Sequence, residues 1–319
     1  MPENAKQGAA AVSPQAAVLF LWAETPVHAG AGGGKTALDL PIQRSVQTEW
    51  PILNDATVRG GLRRLITDEA LADKLFGTEA GDEAHPGCFS TPDAELLLFP
   101  IASAAGLTAW VTCVPALRYF LRRLEMFKPL LSAQAQGKVQ ELEGYLDAAG
   151  TGPESEKAWV AKPCELLLRK AVVLESDCFG IPEDKSADDL AKWFSENAMP
   201  LSQYWVGRLK SHFVLIPEEA FTHYVKTKTD IRTRVRIEQG RAAKSGPWTE
   251  ENLPVDTLLY TTLSETHTGK KGESRLAETH PARLQTFLDE VKIAHKPVLQ
   301  LGGDQNLGRG MLRMRELGG

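Results

Sequence analysis

The chain has 319 residues, of which 43% are hydrophobic and 24% are charged, and its net charge is −5. This length and composition are typical of a globular protein that can bury a large core. No apolar run reaches the roughly 18 residues of a membrane span, and the acidic balance argues against nucleic-acid binding unless basic residues are concentrated locally.

The N-terminal segment and the cysteines indicate a cytoplasmic protein. Residues 1–16 lack a basic stretch followed by a long apolar one, so we interpret them as a flexible leader and not as a secretory signal. The four cysteines show no CxxC spacing and no zinc-finger pattern with histidine. We therefore expect reduced, mostly buried thiols.

The predicted elements alternate between strands and helices. A buried strand is predicted over 18–24, followed by a glycine-rich loop, and one helix over 56–76, capped by Asn54 or Asp55 and ended by Gly77. Residues 79–91 are read as a loop, 134–162 as weakly helical, and 175–196 as an acidic, solvated face. Further strands are predicted over AELLLFPIAS, 109–114, LLLRKAVVLE, HFVLI, IRTRVRIE, LPVDTLLYTTL and both sides of LGGDQNLGRG, and helices over 115–131 and 281–294. This mixed order favours the α+β class.

A nucleotide-binding loop is the first functional candidate. AGAGGGKT, residues 29–36, fits a loose form of GxxxxGK[ST] after a strand. Phosphate would bind at the N-terminus of a helix directly after Lys35 and Thr36, but Pro41 leaves no room for that helix. The best partner motif, VVLESD ending at Asp177, is an ordinary strand end. A glycine loop that lets another backbone come close is therefore the better interpretation of these residues. An NTPase ranks third, after the two hypotheses stated below.

Three basic clusters on this acidic chain point to RNA. Arg59 and Arg63 share a helix face, residues 226–244 hold seven basic residues against two acidic ones, and Arg309 stands with two more arginines near GGDQNLGRG. Each cluster alone is better explained as a solvated surface. Together they predict a track for phosphate groups.

A series of motifs carries a family resemblance. In order along residues 18–315 these are PVHAGAG with LDLPIQR, NDATVRGGLR, GCFSTPDAELLLFP, RVRIE with WTEENLPVDTLLY, and LQLGGDQNLGRG. The series resembles the RAMP superfamily, and within it the repeated backbone subunit of type III-B, or Cmr-type, CRISPR effector complexes. The C-terminal glycine loop indicates only the superfamily, whereas DLPIQR with DAELL is more specific.

The resemblance implies a fold and a set of partners. It implies an RRM-related, ferredoxin-like core with helical insertions in one domain over 17–319, and a protruding thumb hairpin at about 229–252. It also implies a cytoplasmic prokaryotic protein that stacks with other copies of itself along a CRISPR guide RNA and cuts complementary target RNA. Its other partners would be a polymerase-like large subunit, a small helical subunit and other RAMP subunits, with no membrane.

The resemblance also implies site residues. Asp39 is the residue tied to cleavage, His28 lies in the active-site region, and Glu250 with Glu251 forms the second acidic position, followed by Asn252 where the family has an aromatic residue. A carboxylate such as Asp39 could hold Mg²⁺ or Mn²⁺, or act as a base. RNA contacts are expected from Arg44, Arg59, Arg63, Arg232, Arg234, Arg236, Gly302, Gly303, Gly308, Arg309 and Gly310.

Two hypotheses follow. The first is an RNA-guided endoribonuclease subunit that is active within its assembly, and the second is a non-catalytic subunit that binds and measures the guide RNA. On residue chemistry alone, Asp39 would be a turn-stabilising carboxylate and His28 a loop anchor. Substitution of Asp39 separates the two hypotheses.

Overall fold

The fold is built around one large mixed sheet. A computed structural model describes residues 15–32, 38–78, 86–238, 241–242, 246–266 and 283–319. Within those ranges no helix is both long and apolar enough to cross a membrane.

The elements of the described ranges are numbered here in chain order. The helices are α1 (Asp55–Arg64), α2 (Glu69–Phe76), α3 (Val114–Phe127), α4 (Ala133–Ala149), α5 (Asp188–Asn197), α6 (Gln203–His212), α7 (Glu218–Thr227) and α8 (Arg283–Glu290). The strands are β1 (Ala16–Ala23), β2 (Ile52–Leu53), β3 (Phe89–Ser90), β4 (Ala94–Ser103), β5 (Leu107–Thr112), β6 (Trp159–Val160), β7 (Leu167–Leu168), β8 (Ala171–Leu174), β9 (Asp177–Gly180), β10 (Phe213–Leu215), β11 (Asp230–Arg234), β12 (Ile237–Glu238), β13 (Arg241–Ala242), β14 (Trp248–Asn252), β15 (Leu258–Glu265), β16 (Val298–Gln300) and β17 (Met311–Glu316).

The sheet and its helices belong to the α+β class, as predicted. The main path of the sheet has the strand order β16-β17-β1-β15-β4-β5-β10-β6. Strand β1 is antiparallel to both of its neighbours, β17 and β15, and β15 is antiparallel to β4. Helices α1 and α2 lie in the chain between β1 and β4, and α8 lies between β15 and β17.

Strand β1 is apolar throughout because both faces of the sheet are covered. All eight of its residues are buried. Phe20 and Trp22 pack in one hydrophobic cluster with residues of α3, α4 and α5, whereas Leu19 and Leu21 pack in a second one with residues of α1, α2 and α8. Successive side chains of a strand point to opposite faces, so a strand buried on both sides needs no polar alternation.

The prediction of one helix over 56–76 is wrong at its centre. The structure has two helices, α1 and α2, separated by residues 65–68. Asp68 has extended backbone, and its side chain accepts a hydrogen bond from the Leu71 amide, so it caps α2. Short acidic side chains favour such caps over helix interiors. The predicted ends are confirmed, because Asn54 caps α1 and Gly77, at φ 85°, follows α2.

Two predicted strands also differ from the structure. LLLRKAVVLE forms a hairpin of β7 and β8, which turns at Arg169 in the left-handed region (φ 61°). LPVDTLLYTTL becomes strand only from Leu258, because Asp256 is also left-handed (φ 70°). The strand AELLLFPIAS is confirmed as β4, and the polar segment after residue 133 contains the 17-residue helix α4.

The cysteines and the acidic segment follow the predictions in most respects. All four cysteines are free; Cys88 and Cys113 are buried, whereas Cys178 is exposed. The acidic side chains of 175–196 lie at the surface, although α5 within that segment also buries Trp193 and Phe194 in the core.

Candidate functional site

The predicted site residues meet at strand β14. The Leu40 amide donates to the Thr249 carbonyl over 3.1 Å, and the Glu251 amide donates to the Leu40 carbonyl over 3.0 Å, so residues 38–42 run alongside β14. Strand β11 pairs with the opposite edge of β14, with Thr233 facing Thr249. Segments about 210 residues apart in the sequence therefore form one unit, in which β14 is the central strand.

Asp39 is exposed and is held by Thr249. Its Oδ2 accepts hydrogen bonds from the Thr249 amide at 2.7 Å and from the Thr249 hydroxyl at 2.9 Å. Among the described residues, none donates to Oδ1. Both bonds favour the charged form of Asp39 and therefore lower its pKa below the usual range. The bond from the Thr249 amide has the larger effect, and the bond from the hydroxyl has the next largest. The carboxylate is therefore ionised at neutral pH and has a fixed orientation.

His28 is anchored from one side of its ring. Its Nδ1 lies 2.7 Å from the Glu251 carbonyl, which can only accept, so Nδ1 donates. The neutral ring then carries its lone pair on Nε2, for which the described residues offer no hydrogen-bond partner. A Cβ added to Gly30 would lie 3.2 Å from this nitrogen, so the glycine leaves room beside it.

The C-terminal glycine loop packs directly against the chain before His28. The Gly303 amide donates to the His28 carbonyl over 2.8 Å, and the Gly310 amide donates to the Pro26 carbonyl over 2.8 Å. Gly302 has φ +82°, and a Cβ there would lie 2.3 Å from the His28 carbonyl oxygen. The close approach that glycine permits is thus made by the protein's own backbone.

Glu250 lies at the centre of a buried ionic cluster. Its carboxylate accepts from Arg234 at 3.0 Å, Arg309 at 2.7 Å and Trp248 Nε1 at 2.9 Å. Arg309 also donates to Asp304 at 2.7 Å. Burial alone would raise the pKa of Glu250, but the bonds from Trp248, Arg234 and Arg309 outweigh it and lower the pKa to about 2.

Glu251 joins the other components of the site. It is 2% exposed. Its Oε1 accepts from Arg44 at 2.5 Å and from the Thr229 hydroxyl at 2.8 Å, while Oε2 accepts from the Ile42 amide at 3.0 Å. The side chain therefore connects the segment that carries Asp39 with the first residue of the predicted thumb.

Several arginines predicted to bind RNA are engaged inside the protein. Arg59 donates to the Phe76 and Phe89 carbonyls, and Arg63 donates to the Gly77 carbonyl and to Asp73. Arg44 donates to the Glu49 and Val225 carbonyls as well as to Glu251. Arg59 and Arg63 share a face of α1, as predicted. Many hydrogen-bond donors of these three arginines are nevertheless already bonded within the protein.

The strand predicted over IRTRVRIE is divided between β11 and β12, and two of its apolar side chains are exposed. Ile231 and Val235 are 50% and 44% exposed. Arg232 pairs with Asp230 at 2.8 Å, and Arg234 belongs to the buried cluster. Arg236 is exposed, and Gly308 has open space around its Cβ position. The predicted loop over 239–246 lies mostly outside the described residues.

An open groove of about 550 Å³ lies beside His28. Its walls come from the glycine-rich loops and from helix α1: Ala29, Gly30, Gln43, Ala56, Thr57, Gly60, Arg63, Arg64, Gly302 and Gly303. Arg64 is exposed and donates to the Gln300 carbonyl at 2.9 Å. The groove combines small residues at the first turn of α1 with guanidinium groups at its last turn, which suits an anionic, extended ligand.

The sequence did not indicate two residues of the candidate site, and some of the predicted residues lie outside the described ranges. Thr249 lies within the motif WTEENLPVDTLLY but was assigned no role, and the groove-lining position of Arg64 follows only from the packing of α1 against the loop. Lys35 and Thr36 lie outside the described residues, but 38–44 are extended where a phosphate-binding helix would continue. Within the described ranges no three His, Cys, Asp or Glu residues cluster as a metal site.

Comparison with known proteins gives one consistent family. Residues 21–313 match the RAMP superfamily. The chain is 27% identical over 310 residues to the CRISPR system Cmr endoribonuclease Cmr4 of Pyrococcus furiosus, covering 94% of this chain and 95% of that protein.

Solved structures agree with this comparison. Oligomeric Cmr4 from Pyrococcus furiosus has a TM-score of 0.66 at 25% identity, covering 96% of this chain and 98% of that one. A chain of the type III-B Cmr-beta complex bound to cognate target RNA shares the fold, with a TM-score of 0.69 at 14% identity and coverage of 96% and 98%. The chain belongs to the RAMP superfamily.

Proposed function

We propose that this protein is the guide-RNA-binding backbone subunit of a type III-B CRISPR ribonucleoprotein and cleaves complementary target RNA, with Asp39 as the catalytic residue. The observation that carries the proposal is an exposed carboxylate that Thr249 holds at one edge of strand β14, together with the glycine-lined groove beside His28. The relative named Cmr endoribonuclease supports the reaction class.

The proposed partners follow from the same groove and from the relatives. Guide and target RNA would be bound by the groove and by the β11–β14 ribbon, which is the proposed thumb at about 229–252. Oligomeric Cmr4 supports stacking with further copies of this chain. The proposal includes the other subunits of a type III-B complex as partners, and a cytoplasmic prokaryotic setting. It also includes a ferredoxin-like core, which the strand order β17-β1-β15-β4 supports.

The chemistry requires an aligned ribose and phosphate. In RNA cleavage without an external nucleophile, the 2′-oxygen loses its proton and attacks the adjacent phosphorus. The bond from phosphorus to the 5′-oxygen breaks and that oxygen takes up a proton, so the products end in a 2′,3′-cyclic phosphate and a 5′-hydroxyl. Asp39, with its low pKa, is a weak base at neutral pH, which favours a role as a fixed negative charge that orients the 2′-hydroxyl. The Nε2 of His28, which has no hydrogen-bond partner among the described residues, is the candidate proton acceptor.

The predicted Mg²⁺ or Mn²⁺ ion remains a proposal. The described residues supply one exposed carboxylate and no cluster of three ligands, so the protein alone does not form a metal centre. A cation at Asp39 would need phosphate oxygens of RNA and water as its other ligands. The direct role predicted for Glu250 and Glu251 becomes indirect in this proposal, because both carboxylates are buried and bonded within the protein.

The test is target cleavage by the complex reconstituted on a guide RNA, with magnesium and with EDTA. We expect a regular ladder of products, lost in Asp39→Ala and in Asp39→Asn, while guide and target binding persist. Asp184→Ala, at another exposed acid, should cleave normally. An unchanged ladder from Asp39→Ala would make this chain a non-catalytic scaffold that measures the guide RNA, with another subunit as the nuclease.

A further inference from the structure

We infer that Thr249 is a positioning residue for cleavage, which sets the orientation of the Asp39 carboxylate and couples it to the ribbon strand β14. The inference rests on the proposed function, because it concerns how the proposed catalytic residue is held. It assigns a role to a side chain for which the sequence pattern indicated none.

The bonds between the two residues are reciprocal. The Asp39 amide donates to the Thr249 hydroxyl oxygen at 3.1 Å, and the same hydroxyl donates to Asp39 Oδ2 at 2.9 Å. A hydroxyl can accept on its oxygen while it donates its single proton, and the ionised carboxylate can only accept, so the two bonds form together. With the Thr249 amide at 2.7 Å from Oδ2, three hydrogen bonds join the backbone and side chain of one residue to those of the other.

This arrangement determines which oxygen faces the ligand. Oδ2 has two donors from Thr249, whereas none of the described residues donates to Oδ1. The carboxylate therefore presents Oδ1 in a defined direction although the residue is exposed. Reacting groups must be held within a few tenths of an ångström and about 10–20° of the productive geometry, and a residue on a strand achieves this better than a free loop.

The same strand also connects the carboxylate to the ribbon. Glu250 and Glu251, the neighbours of Thr249, are buried and bonded, so β14 is fixed immediately beyond Thr249. RNA that contacts the β11–β14 ribbon would thus act on Asp39 through Thr249. We expect the hydroxyl to influence the cleavage step but not the binding of RNA.

The experiment uses the assembled complex and four variants. Thr249→Val removes the hydroxyl with little change of shape, and Thr249→Ser restores it. Thr151→Val is the matched control, since Thr151 is exposed just after α4 and lies outside both the groove and the β11–β14 ribbon. Asp39→Ala reports on the proposed function. Target binding and the single-turnover cleavage rate are measured from acidic to neutral pH.

The expected result is specific. Thr249→Val should cleave about tenfold more slowly or worse, as expected for a misplaced reacting group, with target binding unchanged. The rate should fall at every pH measured, because the carboxylate loses one of the bonds that fix its orientation. Thr249→Ser and Thr151→Val should match the wild type.

Each contrary result overturns the inference in a distinct way. If Thr249→Val keeps the wild-type rate and pH profile while Asp39→Ala is inactive, the role of Thr249 is refuted and the proposed function stands. If Thr249→Val loses only binding or assembly, or if Thr249→Ser fails to restore the rate, the residue is merely structural. If Asp39→Ala cleaves normally, both the function and the inference fail.

Discussion

Two carboxylates beside the same strand have opposite environments. Glu250 is 3% exposed and accepts bonds from two guanidinium groups and an indole, whereas Asp39 is exposed and accepts bonds only from the neutral groups of Thr249 among the described residues. A charge that is neutralised and buried stabilises a fold but cannot reach a ligand. A charge that is fixed by neutral donors remains available to a ligand, so in the proposed function the Glu250 cluster builds the site and Asp39 acts in it.

The largest effect expected from this comparison is on stability. Glu250→Ala leaves Arg309, which is 5% exposed, with Asp304 as its remaining acidic partner among the described residues. Breaking a buried ion pair from one side typically costs about 3–5 kcal/mol, and we expect a loss of that size in the free energy of unfolding by denaturant. Glu141→Ala, which breaks an exposed pair with Lys138, should cost less than about 1 kcal/mol. Equal losses of unfolding free energy in the two variants would refute the contrast between a buried and an exposed ion pair.

Acid should remove the same stabilisation. The ordinary pKa of 4.5 for this glutamate falls to about 2 in the folded protein, so the stabilisation is fully present above pH 4.5 and is lost as the pH falls towards 2. The shift corresponds to something on the order of 3 kcal/mol. We expect the difference in unfolding free energy between wild type and Glu250→Gln to shrink across this window. A constant difference would show that the cluster does not depend on the charge.

The sequence could predict local features of this site because they depend on nearby residues. The strand AELLLFPIAS, the cap at Asn54 and the glycine loop near the C-terminus each follow from short patterns, and all three are confirmed. The break between α1 and α2 was missed, because Asp68 fits a helix surface about as well as a cap until tertiary contacts decide.

The partners of charged residues could not be predicted in the same way. Arg309 and Glu250 are 59 residues apart, and Asp39 and Thr249 are 210 apart, so only the fold brings them together. A run of arginines has the same appearance whether it faces RNA or carbonyl groups of the protein. Arg59 and Arg63 were therefore predicted as RNA contacts, although the structure uses them to hold helix α1 against the chain around Phe76.

The glycine loop lies at the boundary between the buried and the open region. Two of its glycines allow the effect of backbone strain to be distinguished from the effect of a steric clash at Cβ. At Gly302 a Cβ would both require a left-handed backbone and lie 2.3 Å from the His28 carbonyl oxygen, whereas at Gly308 (φ +72°) only the backbone is strained. Gly302→Ala should therefore destabilise by more than ~2 kcal/mol and Gly308→Ala by ~1–2 kcal/mol. Thermal unfolding measures both, and equal shifts would show that the loop moves freely away from His28.

The smallest effect is expected in the open groove and concerns RNA alone. Arg64 lines the groove, is exposed, and makes one hydrogen bond to a carbonyl, so its remaining donors can contact a phosphate. Arg64→Ala should reduce the slope of log affinity against log salt concentration by about 0.7, the contribution of one phosphate contact on a single strand. Filter binding of single-stranded RNA over a range of salt concentrations measures this slope.

Arg122→Ala, at an exposed arginine on α3 outside the groove, should leave the slope unchanged. Identical slopes for both variants would mean that RNA takes another path, and a loss of stability in Arg64→Ala would place this arginine with the buried, structural group.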